Sequence, residues 1–154
     1  MAADEQAPER RLRKYIQKKN LQKDFRETKL VCALPMWNAE HIGWLAMESL
    51  CNQKDVDFDW ELIIIEDKGR NFFGSDRVFS YNKRLAQAGC VSIDYQFSNQ
   101  RIPLARKWKL MAERALNPES DFLLVAADCY SQPYRLAETH KILQNNEWVN
   151  SPLV

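Results

Sequence analysis

Leu30-Val31-Cys32-Ala33-Leu34-Pro35-Met36-Trp37-Asn38 opens with five consecutive apolar residues and then meets a proline. A run that is apolar at every position, rather than at alternate ones, suits a strand covered on both faces, as in a parallel sheet. Pro35 predicts a sharp turn behind it, because proline lacks a backbone N–H and restricts the residue before it. Asn38 reads as an N-cap for the next segment, where Ile42, Leu45, Ala46, Ser49 and Leu50 recur at helical spacing. A second strand, Trp60-Glu61-Leu62-Ile63-Ile64-Ile65, runs into Glu66-Asp67-Lys68-Gly69, with Gly69 marking a turn.

The same texture continues outward. A loop over 70–79 leads to a helix over 78–88 and a short strand over 91–95. Residues 102–116 read as a helix with Leu104, Trp108, Met111, Ala112 and Ala115 on one stripe, ended by Asn117-Pro118. Residues 121–127 form a further buried strand leading directly into Asp128-Cys129-Tyr130, and Pro133 opens a last helix reaching 145. In the other direction, residues 9–25 are helix-prone, with Leu12, Tyr15 and Ile16 on one face among Arg and Lys. The expectation is an α/β fold, a mostly parallel sheet with helices on both faces, preceded by an N-terminal helix. It divides the chain into a charged leader, 1–28, and a domain, 29–154. In such sheets ligands bind at the carboxyl ends of the strands, which directs Pro35 to Asn38, Glu66 to Lys68, and Asp128 to one crevice.

Composition bounds the function. The chain has 154 residues, 45% hydrophobic and 28% charged, with net charge +1, enough to build one core without disulfides or structural metal and too apolar for a disordered tail. The four cysteines form no C-x-x-C pair, so buried free thiols are expected rather than a zinc or thioredoxin-type site. The leader carries eight Lys or Arg against five Asp or Glu, leaving 14 against 16 from Lys29 onward. That imbalance is too mild for nucleic-acid binding and reads as a solvated helix, with peripheral membrane attachment the weaker alternative. No apolar run is long enough to span a membrane and the first residues are not signal-like, so a cytoplasmic location is expected. With only four glycines, and neither G-x-G-x-x-G nor a Walker loop, the sequence argues against a nicotinamide dehydrogenase or a P-loop ATPase.

The crevice instead offers an aromatic ring, an amide and carboxylates, groups that stack on a base, bond to its edge or ribose, and hold a cation beside diphosphate. Pro35-Met36-Trp37-Asn38, then Glu48-Ser49-Leu50-Cys51-Asn52-Gln53, then Glu61 to Asp67, resembles the opening of family 2 glycosyltransferases of the GT-A fold. That family shows P-x-[YF]-N, a helix ending E-S-[IL]-x-x-Q, and a strand ending in two acids. Residues 99–106 and the helix after them look like its A-R-N helix, residues 125–129 occupy the place of its D-x-D segment, and Pro133-Tyr134-Arg135-Leu136 resembles the P-[DE]-x-L that follows. The likeness extends over residues 29–143. It implies a nucleotide-sugar site of Pro35, Trp37, Asn38, Glu66, Asp67, Arg101, Arg106 and Asp128. In that site Trp37 packs on the nucleobase and Asp67 bonds its edge. Arg101 and Arg106 approach the base or diphosphate, and Asp128 touches ribose or a metal. The implied cofactor is Mg²⁺ or Mn²⁺, and the implied partner a UDP-, GDP- or dTDP-linked sugar with an unknown acceptor.

The sequence also departs from that pattern. Ala126 stands in place of the first Asp of D-x-D and Cys129 where another acid often follows, so Asp128 alone predicts weak or absent metal binding. The general base of the family comes from a second half of the domain, and these 154 residues correspond to the nucleotide-binding half. Structural readings stand beside the functional ones: Trp37 covering the sheet edge, Glu66 and Asp67 as turn acids, the arginines, His41 and His140 as surface residues, Tyr130 as packing. Three classes follow: a nucleotide-sugar glycosyltransferase or its donor-binding part; a GT-A-like nucleotide-binding or interaction domain without transfer; and a nucleotidyltransferase, which Leu34 to Glu40 disfavours for want of a glycine-rich basic loop.

Overall fold

The computed structural model describes residues 10–15 and 27–145. Strands β1 (Arg10–Tyr15), β2 (Leu30–Trp37), β3 (Trp60–Asp67), β4 (Cys90–Ser98) and β5 (Asp121–Leu124) form one sheet in the order β1-β4-β3-β2-β5. The last four are mutually parallel, and β1 runs antiparallel to β4 at the edge. Helices α1 (Gly43–Cys51), α2 (Ser75–Ser80), α3 (Asn82–Gln87) and α5 (Arg135–Leu143) contribute Leu50, Val78, Leu85 and Leu136 to a core against Leu30, Leu34, Leu62 and Ile64. Helix α4 (Leu104–Glu113) covers the opposite face, where Met111 meets Val31, Ala33, Ile63 and Ile65. Helices on both faces bury β3 at all of its positions, which is what its unbroken apolar run encodes.

Several expectations are corrected. Pro35 does not end its strand: β2 continues to Trp37. The carbonyls of Lys29 and Ala33 face β5, accepting from Asp121 and Val125 N–H at 2.9 Å each. By alternation Pro35 points its nitrogen to that side, beyond the last β5 pairing at Ala33–Leu124, so the missing donor costs no ladder bond. Asn38 caps no helix. It lies at φ 48, a left-handed conformation that asparagine tolerates, and α1 starts only at Gly43. The helix expected over 78–88 is two short helices. Tyr81 N–H closes back on Val78 at 3.2 Å, a tight turn that ends α2, while Leu85 N–H bonds Tyr81 to start α3.

The leader is not helical where it is described. Residues 10–15 form β1, because the free edge of β4 and its buried Asp94 outweigh local helix propensity. Arg13 reaches Asp94 Oδ2 at 2.7 Å and the Arg114 carbonyl at 2.8 Å, joining the strand to both the sheet and the end of α4. The rest of the expected helix, residue 9 and residues 16–25, and residues 146–154 lie outside the described residues. His140 is not a simple surface residue: its ring packs on Phe58 at 4.2 Å and stands 3.3 Å from Asp121. Cys32 and Cys90 are buried and Cys51 and Cys129 partly so, all as free thiols. No helix among the described residues is long and apolar enough to cross a membrane.

Glu61, at the start of β3, is a buried acid on the α4 face, accepting from Leu116 N–H at 3.0 Å. Burial pushes it up from 4.5 to about 7, against the opposing pull of the Leu116 N–H and the Arg13 charge. A group whose pKa is raised on folding contributes stability that is full below its unfolded value and lost as pH climbs through the folded one. Glu61→Gln is therefore expected to flatten a decline in urea stability between pH 4.5 and about 7, a decline amounting to at most about 3 kcal/mol. Denaturation of both proteins at pH 5 and pH 8 checks it; equal pH dependence would contradict it.

Candidate functional site

The chain runs from β2 through β3 to β4 with its connecting helices on one face, then crosses back over the other face through α4 to reach β5 beside β2. Winding thus reverses between β2 and β5, and the carboxyl ends of those strands open the crevice in which open α/β sheets hold ligands. The end of β2 presents Trp37, and the end of β5 leads to Asp128.

At the β2 corner, Trp37 is 46% exposed, and the Arg101 guanidinium lies over its ring at 3.9 Å. Such a pair, at an exposed site, is worth about 0.5–1 kcal/mol. Beneath it, Asp67 is fully buried. Its Oδ2 accepts from Ile102 N–H at 2.8 Å and lies 3.5 Å from Arg101, and its Oδ1 is held by Lys107. Lys107, itself buried on α4, also donates to the Met36 carbonyl at 3.2 Å. Glu66, equally buried, accepts from Phe73 N–H, Gly74 N–H and Tyr95 O–H, each at 2.8 Å. The two acids at the end of β3 thus fasten the loops on either side of it, with Glu66 holding residues 73–74 and Asp67 holding residues 101–102.

Gly69 closes the corner. A Cβ there would stand 2.0 Å from Asn38 Oδ1 and 2.9 Å from Trp37 Nε1. Asn38 Oδ1 also accepts from Asn71 N–H at 3.3 Å. Gly69→Ala is expected to push Asn38 and Trp37 aside, with a stability loss of about 1–3 kcal/mol typical of overpacking. Its tryptophan emission should shift as well; an unchanged spectrum and unchanged stability would show the contact to be slack.

Asp128 is exposed on the turn after β5, with Cys129 Sγ 3.6 Å from its Oδ1. A cation placed there would need oxygen donors, which small divalent ions prefer. Ala126 supplies none, and burial and the Asp128 charge raise the Cys129 thiol rather than favour a thiolate. No group of three potential ligands occurs among the described residues. The side chains at this turn do not fit a divalent ion held by the protein alone. The segment after the turn is well fixed: Gln53 donates to the Gln132 carbonyl at 2.8 Å and accepts from Leu136 N–H at 3.0 Å, and Asn52 donates to Tyr130 O–H at 2.9 Å.

The structure brings Trp37, Asn38, Asp67 and Arg101 together at one corner and leaves Asp128 on the neighbouring strand end. Pro35 lies within β2, Glu66 is occupied by backbone donors, and Arg106 is exposed in the first turn of α4. Lys107 was missed. Of the expected stripe, Trp108, Met111 and Ala115 do pack on the sheet, but Leu104, at 49%, and Ala112 are exposed, and Lys107 is buried beside Met111. The signal was available: Lys107 precedes Met111 by four residues, one helical turn, and a buried acid on β3 required a cation.

The sequence matches no family model and no curated protein. Among solved structures it resembles S. aureus TarS, with a TM-score of 0.61 at 16% identity over 76% of this chain and 20% of that one. TarS 1–349 in complex with UDP-GlcNAc gives 0.62 at 16% identity over 78% and 32%, and the complex with UDP gives 0.57 at 16% over 78% and 33%. The chain thus spans about a third or less of the TarS chains it resembles. The class is now defined: this is an α/β domain with a GT-A-like glycosyltransferase fold.

Proposed function

We propose that the chain is the nucleotide-sugar-binding part of a glycosyltransferase, taking a UDP-, GDP- or dTDP-linked sugar at the carboxyl ends of β2 and β5. The observation that carries this reading is the stacked Trp37–Arg101 pair at the point where the sheet reverses its winding. An indole face is a platform for a base, and a guanidinium pairs with diphosphate oxygens. Lys68 and Arg70, just past the end of β3, and Arg106, in the first turn of α4, are exposed positive charges, while Glu66 and Asp67 are withdrawn from the surface. The complexes of TarS with UDP-GlcNAc and UDP support the same ligand class. In the reaction, an acceptor hydroxyl would attack the sugar's anomeric carbon, passing its proton to a general base other than these residues, as the bond from that carbon to the diphosphate oxygen breaks and the nucleoside diphosphate leaves. Trp37 and Arg101 would hold the leaving nucleotide.

A second reading, nucleotide binding without transfer, is favoured by Ala126 and the unsupported Asp128. Calorimetry with UDP-, GDP- and dTDP-sugars, with and without Mn²⁺, tests the proposal. Saturable binding of at least one supports the donor site, and a requirement for Mn²⁺ would mean that the diphosphate completes the cation's ligands. No binding by a demonstrably folded chain would overturn it.

A further inference from the structure

The oxygens that could read the edge of a base are all occupied at this corner. Both oxygens of Glu66 accept from Phe73, Gly74 and Tyr95. Asp67 gives one oxygen to Lys107 and the other to Ile102 N–H, with Arg101 at 3.5 Å. Asn38 Oδ1 accepts from Asn71 N–H at 3.3 Å. Turned outward are a π face and a donor group: the Trp37 ring and the Arg101 guanidinium at 58% exposure.

We propose that Lys107 is a specificity-determining residue: by capturing Asp67 it removes the carboxylate that would distinguish a base N–H from a ring nitrogen, so the site binds nucleoside diphosphates by stacking and charge with little regard to the base edge. This rests on the nucleotide-binding reading above. The chemistry is simplest in the pyrimidines, because N3 of uracil is a donor and N3 of cytosine an acceptor. A site with a free carboxylate at that position favours uracil by roughly ten- to a hundredfold, since cytosine would set two acceptors against each other. A site offering a stacking face and donors alone can bond O2 or O4 of uracil and O2 or N3 of cytosine, and so makes little choice between them. Lys107 Nζ ties the Met36 carbonyl at the end of β2 to Asp67 at the end of β3, so its position is fixed from both strands.

Calorimetric titration of the full chain with UDP and with CDP tests this. The wild type is expected to bind the two within about threefold of one another. Lys107→Asn keeps a polar side chain but releases the carboxylate, and should move the ratio toward UDP by at least about fivefold. Asp67→Asn should shift both affinities in step and leave their ratio within about threefold; a role confined to stability would move neither ratio. A wild type that prefers UDP by more than about tenfold, with the preference lost in Asp67→Asn, would show that Asp67 reads the base and would overturn the inference while leaving the nucleotide site intact. A folded Lys107→Asn with an unchanged ratio would also overturn it. Should that variant not fold, the wild-type ratio and Asp67→Asn decide the matter, and a wild type that binds neither nucleotide overturns both proposals.

Discussion

Trp37→Ala is expected to weaken binding of a nucleoside diphosphate by roughly ten- to a hundredfold while leaving the chain folded. The magnitude follows from base stacking on an aromatic ring, worth about 1–3 kcal/mol per base. The chain should stay folded because 46% of the residue is open to solvent and the loss is confined to its covered part and its contact with Arg101. Trp37→Phe should recover most of the affinity, since it restores a ring face. Calorimetry on the three proteins checks the set. If Trp37→Ala binds as tightly as the wild type, the ring is only a cover for the sheet edge, and the ligand lies elsewhere.

Glu66→Ala is expected to be the most damaging single substitution for folding at this end of the sheet. Its carboxylate serves three donors, each at 2.8 Å, in a fully buried setting. Each buried donor left without a partner costs about 1–3 kcal/mol, so a total loss of about 3–5 kcal/mol is expected after relaxation, a large share of a domain's usual stability. Glu66→Gln should fall between, because its oxygen can still accept while its NH₂ meets donors. Urea unfolding measures the order. In the variants that remain folded, nucleotide affinity should also fall, since Glu66 secures the end of the loop that sets Gly69 against Asn38 and Trp37. A Glu66→Ala protein within about 1 kcal/mol of wild type would mean that water replaces the carboxylate without cost.

The sheet was legible because its signal is long and redundant. Ile63, Ile64 and Ile65 in an unbroken run require cover on both faces, and the alternation of such runs with helical periodicity gives a parallel sheet. What was not legible depended on partners distant in sequence. Residues 10–15 carry too few apolar positions to declare a strand, and their partners, the edge of β4 and its Asp94, 81 residues beyond Arg13, are distant in sequence. Asn38 looked like a cap because its chemistry suits one, yet its backbone is left-handed and its side chain turns to Asn71. The crevice itself could be placed from strand ends alone. The state of its acids could not, because Lys107 sits 40 residues from Asp67 and its burial shows only when α4 is laid on the sheet.

The indole N–H resonances of the five tryptophans give the most direct test. On titration with UDP-GlcNAc, the Trp37 signal is expected to shift in a saturable way, while Trp60, buried with its N–H on the Ala88 carbonyl, and Trp108, on the sheet-facing side of α4, stay in place. Movement of Trp60 or Trp108 without Trp37, or no movement at all from a folded chain at millimolar ligand, would contradict a nucleotide site at the end of β2.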